Sequence, residues 1–368
     1  MTTPTIELKP TSSPLSDADR EAILASPGFG RHFTDHMVII KWTDGRGWHD
    51  GQLVPYGPLS MDPATNVLHY AQEIFEGLKA YRQPDGTVAT FRPEMNAKRF
   101  QSSARRLGMP ELPVETFIEA CDLLVQQDEA WVPSHGGEES LYLRPFMIAT
   151  EIGLGVRPAN EYLFIVIASP AGAYFAGGVK PVSIWLSEDR VRAVPGGVGD
   201  AKTGGNYAAS LLAQAEAAAK GCDQVAYLDA VEHKWVEELG GMNLYFVYGA
   251  ASDQKPKIVT PTLTGSLLAG ITRDSLLSVA RDLGYESEEA RVSIDQWRRD
   301  SENGTLTEVF ACGTAAVITP VGTVKSKSTE WQQSEGKPGE VTLKLREALL
   351  DIQRGVSEDK HGWMHRLG

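Results

Sequence analysis

Along the chain the spacing of apolar positions changes from one segment to the next, and each change marks a predicted element. Residues 37–42 read MVIIKW, a β-prone run closed by the turn signal DGRG at 44–47. Residues 1–34 before it read as an arm with one short helical patch and Gly/Pro punctuation around 27–30. The segment 71–81, AQEIFEGLKAY, places apolar side chains at 71, 74, 75 and 78, which is the spacing of one helix face. Helical spacing returns over 96–107 and, more clearly, over 114–131, and 141–149 and 162–168 are apolar enough for buried strands.

The second half predicts a strand at 182–186, a loop over 195–205, and an Ala-rich helix over 207–220 stopped by Gly221. Strands at 224–229 and 243–247 follow. A turn at 267–272 leads into a helix to 283, stopped by Gly284. Further strands are predicted at 305–310 and 314–319, then a terminal helix at 341–354 ended by Gly355. Between the halves lies SPAGAYFAGGVK (169–180), small-residue and glycine-rich with two aromatics, which reads as a connection between domains. A chain of 368 residues suits about two domains. Residues 1–173 are expected to form a small N-terminal domain with its arm, 174–181 the connection, and 182–368 a larger domain.

Charge and composition narrow the function classes. The formal net charge of -13 disfavours nonspecific nucleic-acid binding, which needs clustered positive charge. No apolar run reaches the length of a membrane span, and no basic-then-apolar leader opens the chain, so a cytoplasmic protein without membrane attachment is expected. Cys121, Cys222 and Cys312 are too far apart in sequence to suggest a disulfide framework or a CxxC pair. His32/His36 and His361/His365 are i,i+4 pairs without HExxH or an obvious third ligand, and no metal site is expected from them.

Several segments carry candidate chemistry. Lys202 lies in GDAKTGGNY, where flanking glycines let a planar group approach the backbone; a lysine kept neutral there can form a Schiff base, and a solvated loop lysine fits the local sequence too. Glu238, in VEELGGMN, can hold a heteroaromatic nitrogen protonated, while of Glu237 and Glu238 one can simply face water. Arg99 is a natural partner for phosphate or an ordinary surface arginine. The helix opening at Gly270-Ile271-Thr272 offers free N–H groups to an anion, and Thr314 follows a glycine in CGTAA. Tyr142 and Arg144 share one face of a strand, and an arginine on an apolar strand needs an anionic partner, structural or substrate.

Taken together, FEGLKAY (75–81), FRPEMNAKR (91–99), LYLRP (141–145), KTGGNY (202–207), EELGGMN (237–243), LLAGITR (267–273), EVFACGTAA (308–316) and IQRG (352–355) resemble the fold-type IV pyridoxal-phosphate enzymes, most closely the branched-chain amino acid aminotransferases. The resemblance runs from about residue 36 to 363. It implies an α+β chain of two mixed α/β domains with the cofactor cleft between them. The implied reaction is transfer of the amino group between L-leucine, L-isoleucine or L-valine and 2-oxoglutarate, by ping-pong turnover through a Schiff base on Lys202. For pyridoxal 5'-phosphate it implies Tyr207 at the phenolic oxygen and Glu238 at the pyridine nitrogen. Arg99, the N–H groups of Ile271 and Thr272, and the Thr314 hydroxyl are implied at the phosphate.

On the substrate side the resemblance implies apolar walls from Phe75, Tyr174 and a partner subunit's Tyr70, hence a homodimer. Tyr142 and Arg144 would receive the glutamate side-chain carboxylate, and the backbone at Thr314 and Ala315 the α-carboxylate. Animal members carry a cysteine pair where this chain has Ala316 and Thr319, so no thiol switch is expected there. D-amino acid aminotransferases and aminodeoxychorismate lyases share the fold. The chain length and the LYLRP and FEGLKAY segments favour the branched-chain form over the lyase, and the Tyr142/Arg144 pair and the long N-terminal arm favour it over the D-amino acid enzyme.

Overall fold

A computed structural model describes residues 4–173, 179–249 and 255–367. Tyr174 and most of the expected 174–181 connection lie outside these residues. Chain contacts divide the protein into two units. The first comprises Met1–Tyr174, Ala201–Gly204 and Ile352–Gly368, and the second Phe175–Asp200 and Gly205–Asp351. Two stretches expected within the C-terminal domain, 201–204 and 352–368, therefore make their contacts in the first unit.

The first unit is built on a mixed sheet. Its strands are β1 (Ile6–Leu8), β2 (His36–Thr43), β3 (Gly47–Pro55), β4 (Glu73–Phe75), β5 (Leu78–Arg82), β6 (Val88–Phe91), β7 (Ser140–Ala149) and β8 (Glu161–Ala171). They run in the order β1-β3-β2-β8-β7-β5-β6, with β4 paired to β7 at one side of β5. Helices α1 (Asp17–Leu24), α2 (Val67–Tyr70), α3 (Pro93–Arg106) and α4 (Val114–Gln127) accompany it. Buried Phe100 of α3 and Phe117 of α4 meet Phe164 of β8, with Phe100 5.5 Å from each partner ring. Tight packing of large rings anchors both helices on the sheet.

The helix predicted over 71–81 is not there. Ala71 adopts a left-handed conformation (φ 48°) that ends α2 after four residues, and the chain enters β4 and β5. Leu78, Lys79, Ala80 and Tyr81 are all buried, so a strand covered on both faces hides its alternation, and the residual apolar spacing mimics a helix face. Gly77 between the two strands also weakens any helix.

The second unit holds β9 (Val182–Ser187), β10 (Gln224–Leu228), β11 (Val236–Leu239), β12 (Asn243–Tyr248), β13 (Lys257–Thr260), β14 (Glu286–Glu289), β15 (Leu306–Gly313), β16 (Val317–Lys325) and β17 (Glu330–Gln332). Their order is β11-β10-β9-β16-β15-β12-β13-β14, with β17 on β16. A further pairing of β11 with β12, through Glu238 opposite Asn243, closes six of these strands into a ring. Helices α5 (Gly204–Ala219), α6 (Ile271–Asp282), α7 (Ile294–Glu302) and α8 (Glu340–Gln353) complete the order. Buried Trp297 of α7 lies edge-on to Phe246 at 5.2 Å and to Trp331 at 5.8 Å, at the centre of this core. The strand predicted at 314–319 begins only at Val317, because Thr314–Ala316 form the turn between β15 and β16. Finally β18 (Met364–Arg366) pairs with β6, which returns the C-terminus to the first unit.

Among the described residues no helix is long and apolar enough to cross a membrane, and no group of three or more His, Cys, Asp or Glu side chains could hold a metal ion. The three cysteines are free and buried; burial pushes the Cys121 and Cys312 thiols well up, and the Cys222 thiol up as well.

Candidate active site

The candidate residues fall into two sets, one in each unit. In the first, Lys202 is half-buried and fixed through its backbone. Its N–H donates to Ser103 Oγ of α3 at 2.9 Å, and its carbonyl accepts the Phe75 N–H at 2.9 Å. Its Nζ lies 4.9 Å from the centre of the Phe75 ring. Just beyond, the Glu73 carboxylate accepts the Gly204 N–H and the Thr203 hydroxyl (3.3 Å). Burial pushes the Glu73 carboxyl above the usual range, opposed by these two donors and by the Arg144 guanidinium.

The antiparallel pairing of β4 with β7 sets Phe75 opposite Phe146, so Phe75, Phe146 and Arg144 project from the same face of the sheet. The Arg144 guanidinium stands 4.8 Å from the same Phe75 ring and 5.5 Å from the Tyr142 ring, and its Nη2 donates to the Tyr142 hydroxyl at 3.2 Å. Its buried Nε has no hydrogen-bond acceptor. A desolvated guanidinium with an unmet donor on an apolar face is suited to receive a carboxylate. Tyr142 is braced by Phe29, edge-on at 5.1 Å. Its hydroxyl lies 1.9 Å from where a Cβ of residue 77 would stand, so a larger residue there would displace it.

Arg99 is held rather than free. Its Nε and Nη2 donate to the two oxygens of fully buried Glu76, each at 2.8 Å, and Asn96 adds a third donor at 2.8 Å. This fork-on-fork pairing fixes the guanidinium plane. Tyr70, 40 % exposed at the end of α2, donates its hydroxyl to the Leu154 carbonyl.

In the second unit, Glu238 and Glu237 project to opposite faces of β11, and both are buried, which removes the expectation that one faces water. Both are instead bonded inside the protein, although one buried oxygen of Glu237 has no donor. Glu238 accepts from Asn243 Nδ2 at 3.0 Å and from the Leu268 N–H at 3.2 Å, and it forms an ion pair with buried Arg192. Glu237 accepts the Ser266 hydroxyl, and burial pushes its carboxyl up. Arg192 also donates from Nη2 to the carbonyls of Gly199 (2.9 Å) and Ser266 (2.7 Å). Gly270 leaves room for this arrangement: a Cβ there would meet Asn243 Oδ1 at 2.1 Å.

Tyr207 lies on α5, half-buried, with its ring 3.7 Å from the point a Cβ of Gly241 would occupy. Ile271 and Thr272 are buried in the first turn of α6, whose N-cap, Gly270, supplies no side-chain acceptor. Such an end presents N–H groups and the positive pole of the helix to an anion. Thr314 and Ala315 sit in the β15–β16 turn, just before Val317, which holds a left-handed φ of 60°. For a β-branched residue that conformation is strained, and it fixes the shape of the turn. The donor set thus fits a phosphorylated, nitrogen-heteroaromatic group: a buried carboxylate with its own cation, an uncapped helix end, and a hydroxyl beside a tight turn.

Sequence reasoning missed Arg192, Glu73, Ser103 and Glu76 as parts of this chemistry. Glu76 stood inside a recognised motif. Arg192 was detectable in principle, as the cation a buried Glu238 must have.

Comparison with known proteins shows the family of the chain. The family described as amino-transferase class IV matches residues 73–324. A probable branched-chain-amino-acid aminotransferase of Streptomyces coelicolor is 83 % identical over 367 residues, covering 100 % of both chains. The branched-chain-amino-acid aminotransferase of Mycolicibacterium smegmatis is 62 % identical, covering 97 % of this chain and 96 % of its own. Among solved structures, the branched-chain amino acid aminotransferase of Escherichia coli is 29 % identical with a TM-score of 0.72, over 89 % of this chain and 99 % of that one. The T.th. branched-chain amino acid aminotransferase solved with pyridoxamine 5'-phosphate is 32 % identical with a TM-score of 0.72, over 89 % and 98 %.

Proposed function

This chain belongs to the class IV aminotransferases, and within them to the branched-chain-amino-acid aminotransferases, and from that membership we propose how its own residues carry the reaction. It is a pyridoxal-phosphate-dependent transaminase that moves the amino group between a branched-chain L-amino acid and 2-oxoglutarate, giving the branched-chain 2-oxo acid and L-glutamate. When bound, pyridoxal phosphate supplies the electron sink that makes the substrate Cα–H acidic.

The observation that carries the residue-level reading is the Phe75 ring, with the Lys202 amine 4.9 Å from its centre and the Arg144 guanidinium 4.8 Å from it. One ring serves both substrate types. Its apolar surface suits a leucine side chain, and the guanidinium beside it suits the γ-carboxylate of glutamate, with Tyr142 fixing its direction. Lys202 is the group that carries the cofactor and moves the Cα proton, base first and acid afterwards. Glu238, paired with Arg192, holds the proton on the pyridine nitrogen, and Tyr207 donates to the phenolic oxygen. Arg99, the Ile271 and Thr272 N–H groups and Thr314 hold the phosphate, and the backbone at Thr314 and Ala315 receives the α-carboxylate.

We further infer a homodimer in the cytoplasm. Leu68, Tyr70, Ile152, Leu154 and Val156 are 40–83 % exposed on neighbouring segments, joined by the Thr65–Ile152 bridge and the Tyr70–Leu154 hydrogen bond. Such a contiguous apolar patch is costly to leave in water and suits a subunit interface contributing Tyr70 to the partner's site. Light scattering at micromolar concentration should give twice the chain mass.

The reading is tested by absorbance of the purified protein. The cofactor band should shift on addition of L-leucine and return with 2-oxoglutarate, and Lys202→Ala should abolish conversion of the cofactor to its amine form and its return. A band that ignores L-leucine and responds to a D-amino acid would replace the branched-chain assignment.

A further inference from the structure

We propose that Glu73 is a positioning residue that locks the backbone on either side of Lys202; the proposal rests on the assignment of Lys202 made above. Residues 201–204 belong by their contacts to the first unit, and three groups of that unit hold them. Ser103 Oγ accepts the Lys202 N–H at 2.9 Å, the Phe75 N–H reaches the Lys202 carbonyl at 2.9 Å, and the Glu73 carboxylate takes the Gly204 N–H together with the Thr203 hydroxyl at 3.3 Å. Two of the three come from β4, a strand of three residues whose first and last members point the same way. Phe75 therefore grips the chain at Lys202 while Glu73 grips it two residues on.

Gly204 is also the first residue of α5. The first-turn N–H groups of a helix lack intrahelical partners and are ordinarily met by a local cap. Here the acceptor comes from 131 residues away, and the local candidate, Thr203, donates to the same carboxylate. The fit is close, since a Cβ on Gly204 would meet Glu73 Oε1 at 2.5 Å.

The function of such a clamp follows from what Lys202 has to do. Its side chain must leave and regain the cofactor and shuttle a proton in each half-reaction, so the amine has to move while its point of attachment does not. Displacement of a reacting group by about 1 Å can cost on the order of a hundredfold in rate. A carboxylate holding the very next turn removes that freedom without touching substrate or cofactor.

Two variants separate this role from a general loss of structure. Glu73→Ala removes the acceptor, while Glu73→Gln keeps an oxygen of the same shape. In Glu73→Ala, kcat with L-leucine and 2-oxoglutarate should fall by at least about tenfold with KM for L-leucine changed less than about twofold, the signature of lost alignment rather than lost binding. Hydrogen–deuterium exchange gives a readout independent of turnover. Protection of the Gly204 amide should drop in Glu73→Ala, with and without bound pyridoxal phosphate, while the middle of α5 stays protected. Glu73→Gln should restore that protection and most of kcat.

Retained Gly204 protection and kcat in a folded Glu73→Ala protein would overturn the clamp. So would a Glu73→Gln protein as impaired as Glu73→Ala, because charge alone would then explain the effect. Lys202→Ala distinguishes failure of the underlying assignment: it should lose conversion of the cofactor to its amine form by L-leucine yet keep Gly204 protected. Parental rates of that conversion in this variant would discard the Lys202 assignment whatever Glu73 does.

Discussion

Glu76 in the first unit and Glu238 in the second are both buried carboxylates, each served by one arginine and one asparagine, yet the pairs are organised in opposite senses. Glu76 takes Arg99 through two parallel bonds and Asn96 through a third, and Arg99 is the partner with a proposed ligand. The carboxylate there is the anchor and the arginine the working group. In the second pair Arg192 is tied to the carbonyls of Gly199 and Ser266 as well as to Glu238, so the arginine is the anchor and the carboxylate works. The contrast shows that an ion pair by itself does not identify a functional residue. A buried charge without a counter-charge is unaffordable in either case.

The largest effect should come from removing the anchor of the second pair. Arg192→Met leaves Glu238 buried without its cation and strips the donor from two backbone carbonyls, so a loss of about 3–5 kcal/mol is expected, read from denaturant unfolding. The double variant Arg192→Met/Glu238→Gln should regain much of that stability while remaining inactive, because it removes the charge together with its partner. If the single variant unfolds like the parent, Arg192 does not anchor Glu238.

Breaking the first pair should cost less and respond to ligand. Glu76→Gln keeps an acceptor for one arginine donor, and a loss of about 2–3 kcal/mol is expected from the charged bond that disappears. Arg99 then lacks its Glu76 counter-charge. Inorganic phosphate or pyridoxal phosphate should therefore recover a larger share of the lost stability here than in Arg192→Met, by preferential binding to the folded protein. Equal behaviour of the two variants on phosphate addition would remove the proposed role of Arg99.

Glycines beside the two pairs allow a finer comparison. Gly77→Ala places a methyl group where the Tyr142 hydroxyl now lies, and Gly270→Ala places one against Asn243 Oδ1. Overpacking of this kind costs about 1–3 kcal/mol in each protein. The kinetic consequences should differ. Gly77→Ala should raise KM for 2-oxoglutarate several-fold and spare the L-leucine half-reaction, because Tyr142 orients Arg144. Gly270→Ala, by loosening Asn243 from Glu238, should depress both half-reactions. Steady-state kinetics with each substrate varied in turn decides between these outcomes.

What the sequence could reveal follows the same division. Strands with one face open to the site, such as β7, kept their pattern: Tyr142, Arg144 and Phe146 are half-buried while Leu141, Leu143, Pro145 and Met147 are buried, and 141–149 was readable as a strand. β5, buried on both faces, was not readable, and its neighbourhood looked helical. Motif residues were legible because the family resemblance holds their order along the chain. Their supports were not, since Glu73 meets Gly204 across 131 residues, Ser103 meets Lys202 across 99, and Arg192 meets Ser266 across 74. Such contacts depend on strand register and loop course, and local patterning carries neither.

A third buried carboxylate tests whether a cation is needed at all. Glu308, on β15, accepts the N–H groups of Val341 (3.0 Å) and Thr342 (2.7 Å) and the Thr342 hydroxyl (2.7 Å), all in the first turn of α8. Here the partial charge of the helix end takes the part that an arginine plays for Glu76 and Glu238. Gly339 makes the approach feasible, since a Cβ there would fall 1.9 Å from the Glu308 carboxyl carbon. Because the amide oxygen of glutamine can still accept the two Thr342 donors and only the Val341 N–H loses its acceptor, Glu308→Gln should cost only about 1–2 kcal/mol, the scale of a helix cap. Thermal unfolding should show that small loss, and kcat and both KM values should stay at parental levels. A loss as large as that of Arg192→Met would mean that the α8 N-terminus does not substitute for a cation, and that Glu308 depends on its charge as strongly as the two site carboxylates do.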